Sequence, residues 1–145
     1  MSGFVLDSRL ESDCHLLGRI DNSLLLLMDN SLAPWLILVP MAEVTEFHEL
    51  EQDTQLQLLE QINLLSAYLK EEYAPDKINV AAIGNIVRQM HIHVVGRSEQ
   101  DYCWPNVVWG AEGRQAYAEG EVAAIATSIH EMLGEMFIPA LRDSE

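Results

Sequence analysis

Residues 89–97 read Gln-Met-His-Ile-His-Val-Val-Gly-Arg, and polar and apolar side chains alternate over most of this stretch. Successive residues of a β-strand point to opposite faces of its sheet. A strand over Val87–Arg97 would therefore place Gln89, His91 and His93 on one face and the apolar residues on the other. The apolar face can pack in a core, whereas three polar groups in a row are typical of a functional site.

The two histidines of this stretch have three alternative interpretations. They could ligate a metal ion, but no other histidine or cysteine is spaced to indicate a third ligand. They could supply a nucleophile and a hydrogen-bond donor for chemistry at phosphorus. They could also be surface histidines without a role, because His-x-His is a short motif with many chance matches.

Charge is distributed unevenly along the chain. There are 8 Lys and Arg against 23 Asp and Glu, a net charge of −15, which argues against a nucleic-acid polymer and against an anionic membrane as partner. Residues 77–98 nevertheless contain Lys77, Arg88 and Arg97 and no acidic residue, a local charge of +3. This window fits a pair of buried strands, and it equally fits a site for a small anionic ligand.

Composition is that of an ordinary folded domain. The 145 residues are 49% apolar, which suffices for one domain with a sizeable core, and we predict a single domain over residues 1–145. The apolar stretches are too short to span a bilayer, and the N-terminus lacks a signal-peptide pattern. Cys14 and Cys103 form no Cys-x-x-Cys motif, as expected for reduced thiols. These features predict a cytoplasmic protein.

Apolar patterning predicts an α+β fold. Five apolar runs bounded by turn signals are predicted as strands: Cys14–Ile20, Ser23–Met28, Trp35–Met41, Lys77–Ile83 and Val87–Arg97. Two stretches repeat apolar residues at three- and four-residue steps and are predicted as helices: one capped by Asp53 and stopped by Pro75, and one over Glu121–Phe137. Asp21-Asn22 indicates a hairpin turn, and Thr45 a short helical turn through Leu50. We predict an antiparallel sheet of about five strands with two helices packed against one face.

The stretch QMHIHVVGR resembles the signature of the histidine-triad (HIT) nucleotide hydrolases and transferases, His-φ-His-φ-His-φ-φ followed closely by Arg, where φ is apolar. Residues 28–40, MDNSLAPWLILVP, resemble that family's first nucleotide-contacting segment. The resemblance covers roughly residues 4–110. The whole chain, including WPNVVWG at 104–110, is similar to a bacterial branch described as diadenosine-tetraphosphate-hydrolase-like.

The resemblance implies a role for each candidate residue. His91 would attack the α-phosphorus and form a nucleotidyl-histidine that water hydrolyses, and His93 would hydrogen-bond phosphate oxygens or the leaving group. Gln89 would occupy the first catalytic position. Nucleotide or phosphate contacts are implied for five further residues: Asp29, Asn30, Gly84, Asn85 and Arg97. The resemblance also implies a homodimer without a bound metal or a tightly bound cofactor, with Mg²⁺ only as the counterion of a small nucleotide substrate.

Two positions depart from the family pattern. Gln89 stands where the signature has its first His, and Gln exchanges hydrogen bonds but cannot titrate. Leu36 stands where many members have a further His after the loop proline. The leading hypothesis is a phosphohydrolase or nucleotidyl transferase acting on dinucleoside polyphosphates or nucleoside phosphoramidates. Two alternatives stay open: a nucleotide-binding protein with weak or lost catalysis, and a metal-binding domain using His91 and His93.

Overall fold

A six-stranded antiparallel sheet forms the centre of the protein, seen in a computed structural model that describes residues 3–140. The elements in chain order are α1 (Ser8–Asp13), β1 (Cys14–Ile20), β2 (Ser23–Met28), β3 (Trp35–Pro40), α2 (Gln52–Tyr73), β4 (Lys77–Ala81), β5 (Ile92–Arg97), α3 (Glu121–Leu133) and β6 (Phe137–Pro139). The strand order is β4-β5-β3-β2-β1-β6, and neighbouring strands are antiparallel. The predicted α+β class is confirmed, with six strands instead of about five. Both ends of the predicted domain 1–145 lie outside the described residues.

The two faces of the sheet bury separate clusters of side chains. Leu38 and Val94 belong to the cluster on the face that α2 and α3 cover. Ile37 and Val95, their neighbours along the chain, belong to the cluster on the opposite face. The predicted alternation of faces is therefore confirmed within β5, and the two predicted helices share one face of the sheet.

The hairpin and the long helix form where the sequence predicts them. The strands β1 and β2 pair around the turn at Asp21, whose φ is 50°. The helix α2 begins at Gln52 without a side-chain cap, whereas Asp53 was predicted as the cap, and it ends where Ala74 adopts a φ of 49° before Pro75. None of the helices within residues 3–140 is both long enough and apolar enough to cross a membrane.

The C-terminal helix is shorter than predicted. It ends at Leu133, a 3₁₀ turn follows over Gly134–Met136, and the predicted last helical residue, Phe137, begins β6. Gly134 has a φ of 64°, a conformation that ends helices and favours glycine. The strand β6 then adds to the edge of the sheet along β1. A side chain at Gly18 would meet the Ile138 carbonyl oxygen and lie 2.8 Å from a Phe137 ring carbon, so glycine permits this approach.

The strand that carries the signature is also shorter than predicted. It begins at Ile92 instead of Val87, while β4 ends at Ala81 instead of Ile83. Residues 82–91 between them are irregular. Strand alternation therefore does not determine where the side chains of residues 89 and 91 point. The predicted turn at 45–50 is a single 3₁₀ turn over Phe47–Glu49, and β3 ends one residue earlier than predicted.

Candidate active site

A cavity of about 600 Å³ opens on the sheet face opposite α2 and α3. Trp35 of β3, His93 of β5 and His91 just before β5 line one side of it. Residues between β4 and β5, including Gly84 and Asn85, line another. Residues of the segment 102–114 complete the wall. The cavity therefore brings together both signature histidines and the two predicted phosphate-contacting residues of the loop that precedes them.

His91 is held in one tautomer by a backbone carbonyl. Its Nδ1 lies 2.7 Å from the Gln89 carbonyl oxygen. Because a carbonyl can only accept, Nδ1 carries the proton of the neutral ring, and the lone pair is on Nε2. His91 is 7% exposed, and its ring centroid is 4.9 Å from that of His93. This is the tautomer that a nucleophilic imidazole requires.

His93 is held in the opposite tautomer by a tryptophan. The Trp35 Nε1–H donates to His93 Nδ1 over 3.0 Å, and both side chains are buried. The remaining nitrogen of the neutral ring, Nε2, is therefore the one that carries a proton. Burial, together with the neighbouring His91, lowers the pKa of His93 to about 4. His93 is accordingly an uncharged hydrogen-bond donor at neutral pH.

The partner of His93 was not predicted from the sequence. Leu36 was taken as the position of the family's further His, but its side chain is 1% exposed in the core on the helix side. The side chain that reaches His93 comes from Trp35, one residue earlier, which the sequence indicated only as the start of a strand. A tryptophan after a loop proline carries no signal of its own for a functional role.

Lowering the pH is expected to destabilise the protein through His93. Its pKa is about 4 in the native protein and 6.5 without the protein environment, so between these values the unfolded chain binds the extra proton. The stabilisation present above pH 6.5 is therefore lost as the pH falls towards 4, and His93 contributes about 2 kcal/mol of loss between pH 7 and 5. Urea unfolding at both pH values checks this. The wild type should lose more stability than His93→Gln, and equal losses would contradict the assignment.

The Gln89 side chain lies away from the cavity. Its Oε1 accepts from the Asp7 backbone N–H and its Nε2 donates to the Val5 carbonyl, both over 2.8 Å. The prediction that Gln89 shares one strand face with His91 and His93 is wrong, because the strand begins only at Ile92. Gln89 contacts the imidazole pair through its backbone carbonyl and not through its side chain.

Of Asp29 and Asn30, both implied as nucleotide contacts, one lines the cavity. Asn30 is 5% exposed on the cavity wall, and its Oδ1 accepts from the Gln115 backbone N–H over 3.2 Å. Asp29 is not among the lining residues. Its Oδ1 accepts from the Tyr117 backbone N–H and lies 3.0 Å from His15 Nε2, and these two contacts lower the pKa of Asp29. Asp29 therefore joins β2 to the chain around Tyr117.

Arg97 is buried in an ion pair outside the cavity wall. Its side chain is 2% exposed. The guanidinium donates from Nε and Nη2 to the Asp101 carboxylate, over 2.7 and 3.1 Å, and from Nη1 to Asn79. The Asp101 carboxylate also accepts from the Trp104 backbone N–H. The interpretation of Arg97 as a phosphate contact is corrected: the ion pair folds the loop that leads to Trp109 in the cavity wall.

Two further residues of the cavity wall were missed or left open. Arg114 lines the cavity and lies outside the +3 window, and its Nε donates to the Asp29 carbonyl over 3.0 Å. Trp109 is the second of these residues. Its ring centroid lies 5.3 Å from that of His93, and its buried Nε1–H has no acceptor among the described residues. Among residues 3–140, no three His, Cys, Asp or Glu side chains form a group that could hold a metal ion.

The fold and the cavity define a small α+β protein with two imidazoles of fixed tautomer on one face of its sheet. The family model of the HIT domain matches residues 9–100, more than half of the chain. The chain belongs to the HIT family, whose members bind nucleotides and act typically as hydrolases or transferases.

Three solved structures of histidine triad proteins are similar over most of both chains. The protein of Sinorhizobium meliloti 1021 is 42% identical over 92% of this chain and 99% of its own, with a TM-score of 0.88. The protein of Marinobacter aquaeolei VT8 is 36% identical over 92% of this chain and 98% of its own, with a TM-score of 0.87. The protein of Bradyrhizobium japonicum is 34% identical over 90% of this chain and 98% of its own, with a TM-score of 0.86. The comparison with curated proteins found no match.

Proposed function

We propose that this chain is a nucleotide phosphohydrolase or nucleotidyl transferase of the diadenosine-tetraphosphate-hydrolase-like branch. It attacks the α-phosphorus of dinucleoside polyphosphates or related nucleotides through a nucleotidyl-His91 intermediate. One observation carries the proposal: a buried imidazole with a free Nε2 lone pair, His91, stands beside a buried imidazole with an Nε2–H, His93. Because the two rings are so close together, the nucleophile can attack the phosphorus of a phosphoryl group while the neutral donor hydrogen-bonds one of its oxygens.

The two tautomers assign a role to each ring in the first step. Nε2 of His91 forms a bond to the α-phosphorus while the bond from phosphorus to the leaving phosphate oxygen breaks. The ring gains positive charge, and the Gln89 carbonyl stabilises it by accepting from Nδ1–H over 2.7 Å. The Nε2–H of His93 donates to a phosphoryl oxygen on which negative charge develops.

The second step releases the product. Water attacks the phosphorus, the bond between His91 Nε2 and phosphorus breaks, and a nucleoside monophosphate leaves while a proton passes to solvent. His93 stays uncharged in both steps, because burial keeps its pKa at about 4. The donor therefore needs no change of protonation between the two half-reactions.

The cavity supports the proposed binding of a small nucleotide. A volume of about 600 Å³ is typical of a small-molecule site. Gly84 and Asn85 border it near His91, as proposed phosphate contacts, and Asn30 and Arg114 offer polar groups to the rest of the nucleotide. Mg²⁺ would enter as the counterion of the substrate, without a tightly bound cofactor in the protein.

Partners and assembly follow the same proposal. A net charge of −15 disfavours nucleic-acid polymers and anionic membranes, while a small nucleotide in a cavity is governed by nearby donors more than by distant screened charges. We propose a single nucleotide-binding domain over residues 1–145, working as a homodimer in the cytoplasm.

The tautomer of His93 favours phosphorus chemistry over metal binding. A metal ion at Nε2 of His93 would require that nitrogen to lose its proton, which the neutral ring would then have to carry on Nδ1. Nδ1 already accepts from the Trp35 Nε1–H over 3.0 Å. A metal would therefore break a buried hydrogen bond, whereas a phosphoryl oxygen would make a new one.

Hydrolysis of diadenosine tetraphosphate in ¹⁸O-water tests the proposed function. The protein is first treated with a chelator and then transferred into buffer with Mg²⁺. The reaction products are separated, and their masses are measured by mass spectrometry. We expect AMP and ATP as products, with the ¹⁸O in AMP, because water attacks the phosphorus that is bonded to His91.

Three outcomes would contradict this expectation, each in a different way. Tight nucleotide binding without turnover would support a binding protein that has lost catalysis. Label in ATP instead of AMP would place the attack at another phosphorus. A metal bound at one equivalent by His91 and His93, whose removal abolishes activity that Mg²⁺ does not restore, would support the metal-binding alternative.

A further inference from the structure

The hydrogen bond between Trp35 and His93 constrains more than the orientation of the imidazole. An indole N–H can donate but cannot accept. A second proton on His93 would have to sit on Nδ1, where it would face the Trp35 Nε1–H 3.0 Å away. The tryptophan therefore opposes the imidazolium form of His93 directly. A histidine, carboxylate or water in its place could accept from Nδ1–H and would allow that form.

The surroundings of His93 oppose its protonation as well. The residue is 5% exposed, and its ring centroid lies 5.3 Å from that of Trp109 and 4.9 Å from that of His91. Burial and the neighbouring His91 lower the pKa of His93 to about 4. The other charged groups on the cavity wall are Asp13 at the end of α1 and Arg114 in the segment 102–114. Neither is among the described hydrogen-bond partners of His93.

We infer that Trp35 is a positioning residue that keeps His93 a neutral Nε2–H donor, and that the site thereby selects phosphoric anhydrides over phosphoramidates. The inference rests on the proposed function and narrows its substrate class. It decides between the dinucleoside polyphosphates and the nucleoside phosphoramidates that the sequence left open.

The selection follows from where the electron pair of the broken bond goes. In an anhydride, the pair leaves on a phosphate oxygen, which is stable as an anion and needs no proton. In a phosphoramidate, the pair leaves on nitrogen, and the amine departs only if a general acid supplies a proton. Neutral His93 could supply its Nε2 proton only by becoming an imidazolate. The Gln89 amide, bound to Asp7 and Val5, is neither acidic nor directed at the cavity.

A pair of substrates that share one adenosine 5′-phosphoryl group tests the selection. Diadenosine tetraphosphate has a phosphate leaving group, and adenosine 5′-phosphoramidate has a nitrogen leaving group. We expect kcat/KM for the anhydride to exceed that for the phosphoramidate by about a hundredfold or more at pH 7.5, the contribution of a general acid that the site lacks. Comparable values for both substrates would overturn the selection, while turnover through His91 would still support the proposed function.

A tryptophan variant tests the cause. Trp35→Phe keeps an aromatic ring but removes the N–H, so His93 can take up a second proton. We expect the phosphoramidate rate to gain about tenfold relative to the anhydride rate at pH 6, with the ionisation of His93 in the rate profile about one pH unit higher than in the wild type. Trp109→Phe is the matched control, because it also removes an indole next to His93 but none of its hydrogen bonds. Whatever its effect on rate, the substrate ratio and the pH profile should stay those of the wild type.

A measurement without substrate keeps this inference separate from the proposed function. In ¹⁵N NMR, His93 of the wild type should show the Nε2–H tautomer and stay neutral down to pH 5, and in Trp35→Phe it should titrate about one pH unit higher than in the wild type. If neither substrate is turned over, the proposed function fails, and NMR alone decides the role of Trp35. If His93 titrates alike in both proteins, the role of Trp35 is disproved whatever the activity.

Discussion

His91→Ala is expected to lower kcat for diadenosine tetraphosphate by about a thousandfold or more, because the variant has no nucleophile to form the covalent intermediate. The His91 ring is held with its Nε2 lone pair free, by a 2.7 Å hydrogen bond from Nδ1 to the Gln89 carbonyl. No alanine substitution elsewhere on the cavity wall should remove the covalent step. The measurement is initial-rate kinetics with separation of AMP and ATP.

A second readout follows the intermediate itself. The wild type mixed rapidly with substrate and quenched in alkali should gain the mass of one adenylyl group on the peptide that contains His91, and His91→Ala should not. His48→Ala is the matched control, because this exposed histidine of the 3₁₀ turn lies outside the cavity wall and its loss should leave the rate unchanged. Retention of a tenth or more of the activity by a folded His91→Ala protein would contradict nucleophilic catalysis by His91.

Arg97→Met is expected to lower the free energy of unfolding by about 3–5 kcal/mol, the cost of leaving one member of a buried ion pair without its partner. The Arg97 and Asp101 side chains are 2% and 6% exposed, and Nε of Arg97 lies 2.7 Å from the carboxylate. Burial alone would raise the pKa of Asp101, but the Arg97 guanidinium and backbone N–H groups lower it to about 2. Without the arginine, the variant would hold a buried carboxylate that only backbone donors stabilise.

A double-mutant cycle separates the ion pair from the packing of the long side chain. Asp101→Asn removes the charge that Arg97→Met leaves unpaired, so the double variant should be more stable than the sum of both single losses predicts. Arg9→Met is the control for an arginine in an exposed ion pair, here with Asp7, and should change stability by about 1 kcal/mol or less. Urea unfolding followed by circular dichroism measures the wild type and the four variants. Additive losses, or similar effects of Arg97→Met and Arg9→Met, would contradict a buried pair.

Local patterns in the chain sufficed for most of the architecture. The runs around Asp21-Asn22 predicted the β1–β2 hairpin with its observed bounds, and the apolar stripe before Pro75 predicted α2. The errors lie where two local signals conflict. Residues 134–137 continue the apolar spacing of α3, but Gly134 ends the helix and Phe137, 1% exposed, packs as part of a sheet edge. Pairing with β1, more than a hundred residues earlier, is not visible in a local pattern.

The candidate site was predicted only in part, because contacts between distant segments are not visible in a local pattern. His91 and His93 were predicted because the signature places them two residues apart, and Gly84 and Asn85 because they stand where the family it resembles has a Gly-Gln pair. All four line the cavity. Polar residue type alone did not distinguish a ligand contact from a structural one. Arg97 and Asp29 were taken for ligand contacts, but Arg97 binds Asp101 and Asp29 binds the chain at Tyr117. Both partners come from segments that carried no motif.

The family, the antiparallel α+β fold and the two histidines could be read from the sequence, because each depends on residues that are close together along the chain. The tautomers of those histidines follow from the tertiary structure. Trp35 and His93 are 58 residues apart, and they meet because β3 pairs with β5 so that Ile37 stands opposite His93 and Trp35 opposite Val95. A diagonal neighbour across two strands is within reach of a large aromatic side chain. No single stretch of the sequence shows this register of β3 against β5, and the register determines which nitrogen of His93 carries the proton.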